Sequence, residues 1–177
     1  MNLPDMLTPR LLLRSTREAD APACLDIWLD EEMGRYLADP PRALASEAYL
    51  NFAVGIEQDE GWYPLVAFHR VNGEFLGTCS AVPTEDGACW DLGYCVHRKF
   101  WRQGYGTEMV SRLMEAGRER GVRAFTIPVA AENAASNALA RKLGAVPWKT
   151  DGAFRKRGTD IVYREIVYRV ESPALSR

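Results

Sequence analysis

No stretch of these 177 residues approaches the ~18–20 consecutive apolar side chains of a membrane-spanning helix. The opening Met1-Asn2-Leu3-Pro4-Asp5 has neither the basic region nor the apolar core of a secretory signal, so a cytoplasmic chain is expected. Excess charge of one sign is also missing. The formal net charge is −2, which gives no reason to expect a nucleic acid or a membrane surface as partner. Histidine occurs only twice, at His69 and His97. The four cysteines, Cys24, Cys79, Cys89 and Cys95, form no Cys-x-x-Cys pair and no His/Cys ligand spacing. Neither a metal centre nor a disulfide framework is therefore expected, and the cysteines read as buried thiols. Repeats, low-complexity segments and linkers are absent. With 47% hydrophobic and 26% charged residues, the chain reads as one domain over residues 1–177 with a single sizeable core.

Within that frame the pattern of elements is legible. Arg10–Ser15 reads as a strand. Asp20 reads as the N-cap of a helix striped by Cys24, Leu25, Trp28 and Leu29. After the break at Asp39-Pro40-Pro41, a second helix is expected over about 44–58, burying Tyr49, Phe52, Ala53 and Ile56. Two strands, Pro64–Arg70 and Glu74–Val82, flank a hairpin at Val71-Asn72-Gly73, and Cys89–Val96 is a third. A helix over 107–120 carries the stripe Met109, Val110, Leu113, Met114 and Gly117 and stops at Gly121. A short strand, Ala124–Val129, a short helix, Ser136–Leu143, and two strands, Val146–Phe154 and Asp160–Val170, complete the chain. This order predicts an α/β (α+β) fold: a mixed, mainly antiparallel sheet of about seven strands, with about four helices on both faces.

The most informative stretch is Phe100-Trp101-Arg102-Gln103-Gly104-Tyr105-Gly106-Thr107-Glu108, between a strand and a helix. A glycine-rich turn there presents backbone N–H groups at the positive end of a helix dipole, a geometry that binds phosphate without lysine or metal. A plain helix start has the same appearance. A nucleotide-phosphate enzyme fits poorly, because no Gly-Lys-Ser/Thr follows and the glycine spacing is not that of a dinucleotide fold.

This turn, together with Asn133-Ala134-Ala135-Ser136-Asn137-Ala138-Leu139-Ala140-Arg141-Lys142-Leu143-Gly144-Ala145, resembles the GNAT superfamily of acyl-CoA-dependent N-acetyltransferases. Leu7-Thr8-Pro9-Arg10-Leu11-Leu12-Leu13-Arg14 and Trp101–Glu108 look like the branch that acetylates the N-termini of ribosomal proteins. The resemblance spans about residues 7–170, with a cofactor-binding core at about 89–145. It implies acetyl-CoA as co-substrate and direct attack by an amine in a ternary complex. By that resemblance the amides of Gln103, Gly104, Tyr105, Gly106 and Thr107 hold the pyrophosphate, and Arg102 offsets its charge. Tyr94, Cys95 and Val96 pair with the pantetheine arm. An amide near Cys95 or Val96 polarises the thioester carbonyl. Asn133, Ser136 and Asn137 contact the cofactor, with Ser136 carried both as a catalytic hydroxyl and as a helix cap.

The pattern is departed from at Trp101, at Arg102 where the branch usually has Gly, at Ala140 where many relatives carry an acid Tyr, and at Ala145 in place of Phe. For the proton acceptor, Asp91 and His97 fall on one strand face by strict alternation, which a β-bulge would break. The acceptor side is expected from Asp30, Glu31, Glu32, Trp28, Tyr36, Trp62, Tyr63, Tyr163 and Tyr168. Its occupant is an amine-bearing small molecule or a protein N-terminus, and the enzyme a monomer or homodimer. The rival reading is a non-catalytic acyl-CoA-binding or sensor module.

Overall fold

In the computed structural model, residues 1–172 are described. Eight strands form one sheet: β1 (Met6–Leu7), β2 (Leu11–Ser15), β3 (Tyr63–His69), β4 (Phe75–Thr84), β5 (Cys89–Val96), β6 (Ala124–Ala130), β7 (Val146–Arg155) and β8 (Val162–Glu171). Their order across the sheet is β1-β2-β3-β4-β5-β6-β8-β7. Every neighbouring pair is antiparallel except β5 and β6. The α-helices are α1 (Ala21–Trp28), α2 (Glu47–Gly55), α3 (Tyr105–Glu119) and α4 (Ala134–Lys142). The expected mixed, mainly antiparallel sheet is the one found. Its additional strand is the two-residue β1.

Strand alternation assigns the helices to faces. Trp90 and Leu92 of β5 and Phe125, Ile127 and Val129 of β6 are buried with Met109, Val110, Leu113 and Met114 of α3. Tyr168 of β8 is fully buried there and donates to Asn137 of α4 at 2.8 Å. So α3 and α4 cover one face. On the other, Trp28 of α1 donates its indole N–H to Thr78 of β4 at 3.0 Å. Thr78 lies opposite Cys95 of β5, whose Sγ is 3.6 Å from the Met33 carbonyl. Helix α1, with α2 packed on it, covers that face.

Several local expectations are corrected. Asp20 precedes α1 without capping it, because its carboxylate takes two bonds from Arg14, at 2.7 and 2.8 Å, and one from the Arg17 amide. The second helix starts three residues late: Ala45 is extended, and the Ser46 hydroxyl caps α2 by accepting from the Tyr49 amide. Tyr49, Ala53 and Ile56 are buried as the stripe predicts, but Phe52 turns outward and stacks on Trp62 at 6.3 Å. Helix α3 begins at Tyr105, two residues before the expected start, so Gly106 lies inside its first turn. Helix α4 begins at Ala134, capped by Asn133, whose side chain accepts from the Ser136 amide at 3.1 Å; the cap is Asn133, not Ser136.

One irregularity matters for function. The two parallel strands pair only at Cys89–Ala124, Trp90–Phe125 and Asp91–Thr126. Beyond Asp91 they part, and the remainder of β5 faces a gap on its β6 side.

Candidate functional site

Strand β5 forms one wall of that gap. Its register with β4 runs without a break from Thr84–Cys89 to Gly77–Val96, so no bulge disturbs its alternation. The His97 amide continues the ladder, donating to Leu76 at 2.8 Å. In an antiparallel pair, bonded and non-bonded positions alternate. Cys95, Gly93 and Asp91 therefore turn their backbone groups toward β4, while Val96, Tyr94 and Leu92 turn theirs into the gap. Of the two amides considered for a thioester carbonyl, that of Cys95 is spent on β4 and that of Val96 is not.

The strand leads into the glycine turn. A short 3-10 segment, Arg98–Phe100, is capped by the His97 ring, whose Nδ1 accepts from the Lys99 amide at 3.2 Å. The Trp101 indole donates back to the Val96 carbonyl at 2.6 Å, and the Gln103 side chain to the Lys99 carbonyl at 3.0 Å. Arg102 takes a left-handed backbone, φ 59°, and Gly104 another, φ 81°. This accounts for the branch's usual glycine at the Arg102 position. A Cβ at Gly106 would come within 3.0 Å of Leu139 Cδ1, so glycine there lets α3 and α4 close together. From Arg102 to Thr107, no backbone N–H meets hydrogen-bond geometry with an acceptor among the described residues; the helical ladder starts with the Glu108 amide donating to Gly104 at 3.1 Å. Consecutive unpaired donors at the N-terminus of a 15-residue helix form an anion cradle.

On the α4 side of the gap, the Tyr94 hydroxyl is buried with no hydrogen-bond partner, and burial pushes its pKa up to about 12. Ser136, in the first turn of α4, is the polar side chain beside it. A buried unpaired hydroxyl in a gap lined by open amides suits an amide-bearing, extended ligand. Asn137 is committed elsewhere: its Nδ2 donates to the carbonyls of Ala130, Ala131 and Asn133, and its Oδ1 accepts from Tyr168. It ties α4 to β6 and β8 rather than facing a ligand. Ala140 is fully buried and carries no acid group.

Asp91 stands where β5 and β6 part, on the α1 face, hydrogen-bonded to the Thr126 hydroxyl. Burial raises its pKa, and the Thr126 bond only partly opposes this. A pocket of about 460 Å³ opens beside it, lined among others by Thr126, Pro128, Trp148, Glu165 and Val167. The Glu165 carboxyl is raised too, by burial first and by Asp91 second. His97 is not brought to this place. Six residues of unbroken strand separate it from Asp91, about 20 Å. It stands with the glycine turn.

The residues expected on the acceptor side are dispersed. Asp30 spends its carboxylate on the amides of Glu32 and Met33, at 2.9 and 2.8 Å, and Glu32 reaches Arg98 at 3.5 Å. Tyr63 packs on Trp90 in the core, and Tyr168 is buried under α4. Trp28 and Trp62 are held by Thr78 and Phe52. Tyr36 and Tyr163 remain together near the surface, ring centroids 5.3 Å apart. All four cysteines are buried free thiols; burial holds Cys79 and Cys95 up at about 12, so neither is a thiolate nucleophile at neutral pH.

Two contributions escaped sequence reasoning. Arg10 and Thr8 bind Glu108: Thr8 Oγ1 at 2.5 Å, Arg10 N at 3.0 Å and Arg10 Nε at 2.6 Å. Lys156 is buried and donates to the carbonyls of Gly34, Leu37 and Asp39, at 2.7, 3.1 and 2.7 Å. Both are long-range pairings that no local pattern encodes.

The sheet thus splays at its one parallel pair, and a run of unpaired amides lies at the end of the splayed strand. Residues 10–146 match the model of the acetyltransferase (GNAT) domain, and the chain belongs to that family. Among curated proteins it is 25% identical over 143 residues to the uncharacterized protein YkkB of Bacillus subtilis, spanning 78% of this chain and 83% of that one. It is also 25% identical over 118 residues to the uncharacterized N-acetyltransferase p20 of Bacillus licheniformis, 63% of this chain and 65% of that one. Among solved structures, the fold is similar to RimL, a ribosomal L7/L12 alpha-N-protein acetyltransferase, in its complex with coenzyme A. There the TM-score is 0.75 at 22% identity, covering 97% of this chain and 98% of that one. As a member of the acetyltransferase (GNAT) family the chain is an acyltransferase with acetyl-CoA as its co-substrate. Among the described residues no group of three or more His, Cys, Asp or Glu side chains is placed to hold a metal, and no helix is long and apolar enough to cross a membrane.

Proposed function

We propose that residues 1–177 act as one N-acetyltransferase domain that moves the acetyl group of acetyl-CoA to a primary amine by direct attack in a ternary complex. The observation that carries this reading is the run of unpaired amides from Arg102 to Thr107 at the end of a strand whose own amides face the gap. In it, the amides of Gln103 to Thr107 bind the pyrophosphate and Arg102 adds charge. The Tyr94 and Val96 backbone pairs with the pantetheine arm, and Tyr94 and Ser136 offer hydroxyls to it. Asn133 caps α4 and holds Ser136 at the gap.

The amine enters from the α1 face, at the point where β5 and β6 part. Asp91 takes its proton, directly or through a water, as nitrogen attacks the thioester carbonyl. The gap-facing Leu92 amide, next to Asp91, steadies the developing oxyanion, and the Val96 amide, about 16 Å along the strand from Asp91, is left to the pantetheine arm. The thiolate leaves readily, since a thiol has a reference pKa of about 8.5, so the loss of an acid at Ala140 is tolerable. His97 is too far along the strand to share this task. Resemblance to the ribosomal-protein branch, and the fold shared with RimL, favour a protein N-terminus as acceptor; amino acids, polyamines and aminoglycosides are the competing amines.

A thermal-shift titration with acetyl-CoA, followed by thiol release against a panel of amines, tests the reading. At 100 times the dissociation constant the ligand contributes about 2.7 kcal/mol, roughly 5–10 °C for a domain of this size. No shift at millimolar acetyl-CoA would remove the pyrophosphate assignment. A shift without thiol release for any amine would remove catalysis at Asp91.

A further inference from the structure

The glycine turn is braced from behind by a residue almost a hundred positions away. Arg10, at the entry to β2, spreads its guanidinium over the start of α3. Its Nη1 donates to the Gln103 carbonyl at 2.9 Å, its Nε to Glu108 Oε2 at 2.6 Å, and its Cζ lies 3.9 Å from the Tyr105 ring centroid. Its Nη2 comes within 3.5 Å of the position a Cβ would take on Gly104. Glu108 is in turn fixed by Thr8 Oγ1 and the Arg10 amide, and the Thr8 carbonyl accepts from Arg70 at 2.6 Å.

The consequence follows from peptide geometry. In a trans peptide the C=O and the next N–H point in opposite directions. Anchoring the Gln103 carbonyl therefore aims the Gly104 N–H away from Arg10. The turn needs such an anchor, because Arg102 holds a left-handed backbone and such strain persists only where the surroundings over-determine it. We infer that Arg10 is a positioning residue for the pyrophosphate cradle. It locks the Gln103–Gly104 peptide so that the amides converge on a diphosphate, and Glu108 holds the guanidinium in place.

This inference rests on the acetyl-CoA reading above. The test measures coenzyme A affinity by titration calorimetry on the full chain, for the wild type, Arg10→Met and Glu108→Gln. It is paired with steady-state kinetics on acetyl-CoA and on S-acetylpantetheine, which lacks the diphosphate. Arg10→Met is expected to weaken coenzyme A binding about tenfold, the scale of one hydrogen bond to a charged group. Its KM for acetyl-CoA rises to match, with kcat at saturation and kcat/KM for S-acetylpantetheine unmoved. Glu108→Gln is expected to shift affinity in the same direction by a smaller factor, and stands in if Arg10→Met does not fold. Unchanged coenzyme A affinity in a folded variant overturns the inference, as does an equal loss with S-acetylpantetheine, which would mark a general loosening of the fold. If the wild type itself does not bind coenzyme A, the pyrophosphate reading fails first, and the inference with it.

Discussion

Replacing Arg102 tests the shape of the cradle with a sign rather than a size. Arg102 is exposed and sits at φ 59°, in the left-handed region where a side chain costs about 1–2 kcal/mol. Glycine removes that cost but loses about 0.5–1 kcal/mol through its greater freedom in the unfolded chain. Alanine keeps the strain and has no such loss. Arg102→Gly should therefore be more stable than Arg102→Ala by roughly 0.5–1 kcal/mol. At an ordinary position the order is the reverse by a similar amount. For a chain of this length the difference is about 1–4 °C in melting temperature, and a denaturant titration resolves it as a midpoint shift at constant slope. Both variants lose the same exposed charge, so both should weaken coenzyme A binding by no more than about fivefold, the scale of an exposed ion pair. If alanine proves at least as stable as glycine, Arg102 is not left-handed, and the cradle built on that turn is refuted.

Other outcomes follow from the same geometry. Tyr168→Phe leaves the buried Asn137 carbonyl oxygen unpaired, at a cost of about 1–3 kcal/mol by chemical denaturation; no loss would mean that this bond does not hold α4. Lys156→Met takes the ammonium from three carbonyls of the 34–39 loop and should cost about 2–3 kcal/mol. It should raise the KM for the amine while coenzyme A affinity stays constant, and a change confined to coenzyme A would contradict the expectation that Tyr36, on this loop, meets the acceptor. Asp91 and Glu165 have folded pKa values raised above the unfolded ones. Their stabilising contribution is complete below about pH 4 and is lost as pH rises through the raised values. Asp91→Asn should thus flatten the fall of stability above pH 4. It should also abolish the acid limb of the rate profile, which lies above the ordinary carboxylate range; an unchanged limb would take Asp91 out of the reaction.

What was legible in the sequence was local. The stripe Met109, Val110, Leu113, Met114 is a helical period, and all four residues are buried where that period puts them. The hairpin at Asn72-Gly73 and the stops at Gly121 and Gly144 are turn chemistry, and those glycines hold positive φ. Errors began where a side chain had a better offer from a distance. Asp20 is a good cap by type, yet Arg14 and the Arg17 amide outbid the helix for its carboxylate. Phe52 fits the period of α2, but the partner that stacks on it, Trp62, lies outside. Alternation placed Asp91 and His97 on one face correctly in principle. What it omitted was the rise of the strand, and about 20 Å of it separates the two side chains.

The elements that make a site out of this fold belong to the class that local reading misses. Thr8 and Arg10 lie in one of the two segments that resemble the ribosomal-protein branch and Glu108 in the other, but nothing in either motif says that they touch. Their contact closes a loop of about a hundred residues, and its entropic cost is met by the core between β2 and α3 rather than by the ion pair itself. The pair is half-exposed on the arginine side, 40% against 16% for the glutamate, so its own contribution to stability is small. Its value is directional: it fixes one peptide plane. A motif can persist in a sequence for such a reason while a stability measurement on the intact protein barely registers it. Only a ligand that needs the amide on the far side of that plane would report its loss.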